Sequence, residues 1–380
     1  MSAMVFWGLL ALVIWLGLLG TGFWLCTERD DAVAVHAPAL WPDVVAVIPA
    51  RNEADVIARS LGSVAAQDYP GRFRIILVDD DSGDGTGAIA RGISQRVSVL
   101  DGAPLAPGWT GKLWALSQGI AQAGKPQFLW LTDADIAHDP DTLRRLVGIA
   151  LTKRRKLVSF MAKLHCETGP ERALVPAFIW FFMMLYPFNW INRRGPISGA
   201  AGGCVLVERQ ALEAAGGIAA MRGALIDDCT LGALIKRQGP IWLGLTHRSR
   251  SIRPYVSVGQ IAAMIARSAY AQLRYNPAIL ALTIVGLALV FALPVALLFA
   301  SGAAQLLGLA TCALMVIAYQ PLLRFYRRSP LWGLALPLVA GFYAWCTLAS
   351  AWQHAQGRGG LWKGRVQAMP NVRPNVRAPR

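Results

Sequence analysis

The sequence predicts an α/β fold with a mainly parallel sheet, framed by transmembrane helices at its N- and C-terminal ends. Three observations carry this reading. Between residues 43 and 208, short β-branched runs alternate with helical patterns, as in βαβ units. Several of these runs end in acidic residues, and ligands of parallel sheets collect beyond the carboxyl ends of strands. Long apolar stretches stand before and after this region. Hydrophobic residues make up 55% of the chain and charged residues only 16%, too apolar for a purely soluble protein.

Residues 3–26 are almost unbroken apolar sequence, long enough to cross a bilayer. The length of the run, and the lack of Lys or Arg before it, argue against a cleaved signal peptide. The organisation read from composition is a transmembrane helix over 1–27, a catalytic domain over 28–275, transmembrane helices over 276–353 and a basic tail over 354–380. Within the domain, Val44-Val-Ala-Val-Ile48 reads as a buried central strand, followed by the loop Pro49-Ala-Arg-Asn-Glu53. A helix over 55–66 leads to a second strand, 74–78, ending in Asp79-Asp-Asp-Ser-Gly-Asp84. A helix over 86–96, a strand over 97–100 and a helix opened by Gly111-Lys112 follow. Phe128-Leu-Trp-Leu131 is then a buried strand running into Thr132, Asp133 and Asp135. His138 is expected at the surface start of a helix over 139–151, and a strand covers 157–162.

Residues 173–191 look membranous but are interrupted by Pro176 and Pro187. A full crossing would separate acidic clusters that share one site, so an interfacial or re-entrant segment is expected over 173–192; composition alone equally allows a buried core helix. Arg193 and Arg194 suit an anionic headgroup surface. A Gly-rich approach containing Gly202 and Gly203 precedes a strand ending at Glu208. Asp227 and Asp228 open a helix, and 259–275 is amphipathic, carrying Arg267, Gln272, Arg274 and Tyr275. Spans are expected over 278–300, 303–323 and 331–352. With the domain in the cytoplasm, four full crossings would put the basic tail outside, against the positive-inside tendency.

The charge and cysteine patterns narrow the partners. The net charge is +15, but no nucleic-acid motif is present and the basic clusters flank apolar runs. Membrane-surface charge and phosphate binding are the reading, with no nucleic-acid partner. The six cysteines are scattered without Cys-x-x-Cys, so neither a zinc knuckle nor a disulfide framework is indicated. Gly85-Thr-Gly-Ala-Ile-Ala90 fits a dinucleotide fingerprint, but Asp79, Asp80, Asp81 and Asp84 stand directly before it and would repel a pyrophosphate.

The acidic clusters and Lys112 form the inventory of a nucleotide-sugar reaction. Asp133 and Asp135, if the strand period runs on, point the same way and suit Mg2+ or Mn2+ shared with substrate phosphates. Lys112 can help neutralise a departing diphosphate, and a separate carboxylate must take the proton of the attacking hydroxyl.

The motifs Val47-Ile-Pro-Ala-Arg-Asn-Glu53, Val78-Asp-Asp-Asp-Ser-Gly-Asp-Gly-Thr86, Gly111-Lys112, Thr132-Asp-Ala-Asp135 and Ile226-Asp-Asp-Cys-Thr-Leu231, in this order, resemble a family 2 glycosyltransferase with a GT-A fold. The match covers about residues 43–275. The span layout and the Trp362-Lys-Gly-Arg365 tail are most similar to the hopene-associated glycosyltransferases. The resemblance implies that Pro49, Glu53, Asp79 and Asp80 hold the nucleotide and that Lys112 meets the diphosphate. It makes Asp133 and Asp135 the D-x-D pair, Asp135 being the stronger metal ligand. Asp228 takes the base position, with Asp227 beside it. The acceptor motif Gln-x-x-Arg-Trp appears altered, as Gln272-Leu-Arg-Tyr275, which favours transfer of one sugar over polymerisation. Gly202, Gly203 and Arg267 complete the acceptor-side candidates.

The reading is therefore a multi-pass inner-membrane enzyme, its domain facing the cytoplasm, moving a sugar from a UDP-sugar to a hopanoid or polyprenyl lipid. An inactive membrane scaffold and a processive polysaccharide synthase stand as alternatives. Asp81 and Asp84 are expected to be turn residues, and Trp362-Lys-Gly-Arg365 either an interfacial anchor or a lid.

Overall fold

The structure is a computed structural model that describes residues 3–357 and, as backbone alone, 361–362 and 365–366. Its strands are β1 (Val44–Ala50), β2 (Phe73–Asp79), β3 (Val97–Asp101), β4 (Phe128–Thr132), β5 (Ile136–His138), β6 (Leu157–Lys163), β7 (Cys204–Glu208) and β8 (Ile241–Ser251). They form one sheet in the order β3-β2-β1-β4-β7-β6-β8-β5. The half built from β3, β2, β1 and β4 is parallel. β7 runs antiparallel to both β4 and β6, and β5 antiparallel to β8, so the whole sheet is mixed. Every residue of β1 and β4 is buried, which is why these central strands read as continuous apolar runs.

The sheet is covered on both faces. Val44, Ala46 and Ile48 of β1 face one core, with Ile57 and Leu61 of α2 (Ile57–Ala65). That core also takes Leu143 and Leu146 of α5 (Thr142–Thr152). Val45 and Val47 face the other core, with Leu113 and Leu116 of α4 (Gly111–Ala121). Between α2 and α4 lies the short α3 (Thr86–Arg91). The core of the second face continues through α6 (Gly169–Leu185) and α7 (Phe188–Ile191). Then come α8 (Arg209–Ala214), α9 (Asp227–Lys236) and α10 (Val258–Gln272).

Among the described residues, four helices are long and apolar enough to cross a membrane. The first is α1 (Ala3–Gly20). The second joins α11 (Pro277–Leu287) to α12 (Leu293–Leu297) through a π turn. The third is α13 (Ala303–Phe325), and the fourth is α14 (Leu336–Ala355) with the turn Pro330–Ala335 before it.

α6 ties these helices to the domain. It starts at a capping box in which Thr168 and Glu171 bond each other's backbone N–H groups. Glu171 also accepts from Glu167 N–H (2.9 Å), Tyr255 N–H (2.6 Å) and the His165 imidazole (2.8 Å). Burial disfavours its charge, but these donors outweigh burial and hold the carboxyl down at about 2. Further along, Trp180 stacks on Trp15 of α1 and donates its indole N–H to Ala318 O of α13 (3.1 Å). Most of the stretch expected at a membrane interface is thus buried against other helices, with Leu185 and Trp190 exposed near its end.

His138 is corrected by the structure. It is not a surface helix-start residue but a buried side chain of β5, between Thr132 Oγ1 and Ser249 Oγ (each 2.9 Å). Burial pushes its imidazole down to about 3, so it stays neutral. β5 and β8 had no counterpart in the sequence reading. β8 changes halfway from an apolar run to Thr246-His-Arg-Ser-Arg-Ser251, which blurs its pattern. The Trp362-Lys-Gly-Arg365 motif lies outside the described side chains; the backbones of Leu361–Trp362 and Arg365–Val366 pair antiparallel.

Candidate active site

The parallel register aligns the ends of β1, β2 and β4, with Ala50 opposite Asp79 and Val47 opposite Leu131. β7 opposes β4 with Cys204 beside Thr132, so Gly202 and Gly203 arrive at the same edge. The first turn of α9 closes the group. Pro49, Lys112, Asp133, Gly202, Asp227 and Asp228 line one pocket there, floored by Leu113, Leu131 and Met221.

Lys112 is the hub. Its Nζ lies 2.8 Å from Asp133 Oδ1 and 3.0 Å from Asp227 Oδ2. Burial works against its charge, but the two carboxylates outweigh burial and hold the ammonium well above its usual range. Asp228 points at backbone instead. Its Oδ2 accepts from Gly202 N–H (3.0 Å) and its Oδ1 from Cys229 N–H (2.7 Å). Burial and then the charge of Asp227 push its carboxyl up to about 6, against Lys112 and the two N–H groups. Burial and Asp228 push the neighbouring Cys229 thiol up, so it remains protonated.

Asp133 and Asp135 do not continue the strand. β4 ends at Thr132, and the two carboxylates meet different cations. Asp133 meets Lys112, while Asp135 faces Arg253 Nε at 3.6 Å. They remain close enough for Asp135 to raise the Asp133 carboxyl, after burial and the opposing Lys112. Arg253 also binds Glu53, and its Nη1 lies 3.1 Å from Asp55 Oδ2. Sequence reasoning missed Arg253, because it sits just beyond the unrecognised β8. The run Arg248-Ser-Arg-Ser-Ile-Arg253, with three cations at close spacing before Pro254, was the available signal.

At the neighbouring strand end Asp80 is buried and faces Arg51 Nη1 at 3.7 Å. Asp79 Oδ1 accepts from Ser82 N–H. Asp84 caps the following turn through Thr86 and Ala54, while exposed Asp81 has a positive φ of 57°. Both behave as turn residues.

The acceptor-side candidates divide. Gly202 belongs to the pocket, but Gly203 faces Ile136 and Ala162. Gln272 bonds Tyr186 Oη (2.7 Å), and Tyr275 stacks on His354 at 4.4 Å. Arg274 and Tyr275 both take left-handed φ in the turn that ends α10. Arg267 is exposed and its charge reaches the Tyr255 phenol, which also feels Asp135.

Among the described residues, no group of three or more His, Cys, Asp or Glu side chains forms a ready metal cage. The donor set still suits Mg2+ or Mn2+, which take one or two carboxylates and complete their shells from water and substrate phosphates. Asp133 and Asp135 are part-exposed at 34% and 28%, and more carboxylates than cations gather around them.

Chemically, the cleft offers a pinned ammonium, a carboxylate poised near neutrality and an acidic pair open to a cation, on a GT-A-like mixed sheet. Residues 45–216 match the model of glycosyl transferase family 2. The chain is 30% identical over 187 residues to a beta-monoglucosyldiacylglycerol synthase of Synechocystis, covering 47% of this chain and 37% of that protein. It is 43% identical over 61 residues to the glycosyltransferase AglE of Haloferax volcanii, covering 16% of this chain and 20% of that one. These matches span well under half of either relative. The mannosyltransferase PcManGT from Pyrobaculum calidifontis, solved with GDP-Man and Mn2+, shares the fold with a TM-score of 0.54 at 19% identity. That likeness covers 93% of this chain and 98% of the other. Residues 45–216 thus resemble a family 2 glycosyltransferase domain.

Proposed function

We propose that this chain is a membrane-bound inverting glycosyltransferase that moves one sugar from a nucleotide sugar, a UDP-sugar, to a lipid acceptor. The observation that carries the proposal is the pairing of a base with a charge clamp in one pocket. Asp228 is half-buried, held by two N–H groups and poised near neutrality, beside Lys112 bridging Asp133 and Asp227.

In this reading Asp228 takes the proton of the acceptor hydroxyl as its oxygen attacks the anomeric carbon. The bond to the diphosphate breaks on the opposite face, and configuration inverts. Lys112 meets the charge that builds on the departing diphosphate. Mg2+ or Mn2+, held by Asp133 and Asp135, would supply further neutralisation of that charge. Glu53, Asp79 and Asp80 bind the nucleoside end, and Arg253 holds Glu53 and Asp135 in register.

The lipid acceptor is supported by the continuous core from the sheet through α6 to the apolar helices. It is also supported by a relative named for a glucosyl lipid. Resemblance to the hopene-associated glycosyltransferases narrows the acceptor to a hopanoid or polyprenyl lipid. Engagement of Gln272 by Tyr186, and of Tyr275 by His354, favours single transfer over processive synthesis. The domain then faces the cytoplasm from the inner membrane, where nucleotide sugars are made.

The test is to incubate the purified full-length protein with Mn2+, lipid extract and UDP-glucose, UDP-galactose or GDP-mannose. A glycolipid should enter the organic phase with one nucleoside diphosphate released per sugar, and the new linkage should have the opposite anomeric configuration to the donor. Donor hydrolysis without glycolipid would exclude the lipid acceptor. No calorimetric binding of UDP with or without Mn2+ would favour the inactive scaffold.

A further inference from the structure

The last turn of α13 meets the globular domain through two aromatic rings wrapped in positive charge. Phe325 and Tyr326 are both buried. Lys163, at the end of β6, places its Nζ 5.7 Å from the Phe325 centroid and 5.4 Å from that of Tyr326. Arg29 lies 5.6 Å from Phe325, and the His247 imidazole stacks on the same ring at 4.2 Å. Cations over ring faces are attracted by the ring quadrupole, so this arrangement gathers charge at one place. The helix then ends in a left-handed turn at Arg327, with Arg328 N–H returning to Leu323 O.

The charges are not balanced locally. Arg29 is paired with Asp31, and Arg250 with Asp139. Among the described residues, Lys163, Arg327 and Arg328 have no carboxylate partner within 4 Å. Lys163 is pushed down by burial and then by Arg327, with Arg328 and Arg250 adding to it. His247 is pushed down to about 4 by burial, Lys163 and Arg29, so it adds no further charge. Partly buried cations that repel one another cost stability unless an anion joins them.

The surroundings indicate the anion. The cluster stands where an apolar helix enters the domain, the level of lipid headgroups. Immediately beyond it, Leu331 and Leu334 are 72% and 68% exposed, offering apolar contact to an acyl chain. A free phosphate would use the cations and leave these leucines bare.

We infer that Lys163, Arg327 and Arg328 bind the phosphate of an anionic phospholipid in the leaflet next to the globular domain, with Leu331 and Leu334 against its acyl chains. The site lies apart from the sugar-transfer pocket and does not depend on that activity; it does require that α13 crosses the bilayer. It would seat the domain on the membrane at a fixed orientation.

The full-length protein, purified in neutral detergent, should be offered equimolar phosphatidylglycerol and phosphatidylcholine and its bound lipid measured by native mass spectrometry. Phosphatidylglycerol should be retained over phosphatidylcholine by at least about tenfold, a preference that falls as salt rises. Lys163→Gln/Arg327→Gln/Arg328→Gln should bring the ratio close to parity. Arg327→Glu/Arg328→Glu, which leaves half-buried Lys163 in place, should do the same and guards against misfolding of the triple variant. Lys153→Gln/Arg154→Gln, an exposed basic pair at the end of α5, should keep the preference. Equal retention of both lipids by the wild type, or an undiminished preference in the charge-reversal variant, would overturn the inference. So would complete displacement of phosphatidylglycerol by millimolar inorganic phosphate, which would make this a free-anion site.

Discussion

As the proposed base, Asp228 meets opposed demands from chemistry and from folding. A base must be ionised, yet burial and Asp227 push this carboxyl up to about 6. For the free enzyme, kcat/KM should therefore rise as pH passes about 6 and level off above it. The folding sign is the reverse. The unfolded chain releases this proton more readily, so there is no penalty below the ordinary carboxylate range. The penalty grows up to about pH 6 and is constant above. Asp228→Asn removes the charge but can accept only one of the two N–H bonds. Its melting temperature at pH 7.5 should stay within a few degrees of wild type, while turnover falls roughly 10²–10⁴-fold and UDP binding persists. Near-normal turnover would pass the base role to Asp227. Two adjacent glycines offer a sharper contrast. A Cβ on Gly202 would sit 3.3 Å from both Asp228 Cβ and Lys112 Nζ, whereas one on Gly203 meets Ile136 at an ordinary 3.4 Å. Gly202→Ala should lower kcat on the order of tenfold or more with the fold retained, and Gly203→Ala should be close to wild type. Equal effects in a steady-state assay would show that this close approach does not matter.

Two helices carry the site's precision. α9 packs so tightly that a Cβ on Gly232 would fall 2.7 Å from the Gly199 carbonyl carbon and 2.9 Å from its oxygen. Backbone cannot step aside as a flexible side chain can. Gly232→Ala should push α9 outward, costing about 1–3 kcal/mol in denaturant unfolding and displacing Asp227 and Asp228 from Lys112. A variant with unchanged stability and turnover would mean that α9 tolerates the shift. α6 depends on Glu171, whose carboxylate gathers donors from the loop before α6 and from the segment after β8. Its carboxyl is held low, so its contribution is present above the ordinary carboxylate range and is lost as pH falls towards about 2. Glu171→Gln should unfold several degrees lower at pH 7, a loss of about 1.5–3 kcal/mol, and the gap should narrow towards pH 3. A gap independent of pH would assign the loss to packing.

At the scale of the whole molecule, the contacts of α14 bear on the conflict over the tail. α13 ends beside Arg29, Lys163 and His247, on the domain's side. α14 starts 11 residues later, after a turn whose Pro330 O accepts from Gln320 of α13, and ends with His354 stacked on Tyr275, just before α11 begins. Ser350 bonds Ala266 O and Tyr270 N–H of α10, which also belong to the domain's side. Both ends of α14 are thus tied to the same side, although its length and composition would allow a crossing. The expected topology is three crossings and a re-entrant α14, with the basic tail on the cytoplasmic side as the positive-inside tendency prefers. In inverted vesicles, protease should cleave both the domain and an epitope placed after residue 357. A protected epitope would restore the fourth crossing, and a protected domain would overturn its cytoplasmic placement.

What the sequence determined by itself was whatever local pattern controls. The continuous apolar runs of β1, β2 and β4 announced buried strands, and the acids at their ends announced the cleft. Helix length and apolarity announced the candidate spans. Asp133 was legible because parallel strands must deliver their ends to one edge, and Lys112, Gly202, Asp227 and Asp228 were legible from the motifs they sit in. Only the tertiary structure decided the rest, because it depends on partners far apart in the chain. The polar half of β8 has no apolar alternation to reveal it, so Arg253 stayed hidden. Asp133 and Asp135 parted once β4 ended at Thr132, where strand periodicity no longer aims side chains. His138 reads as polar and therefore exposed, yet Thr132 and Ser249 satisfy it in the core. Hydropathy measures whether a helix can enter a bilayer; which side it leaves from is set by what its two ends touch.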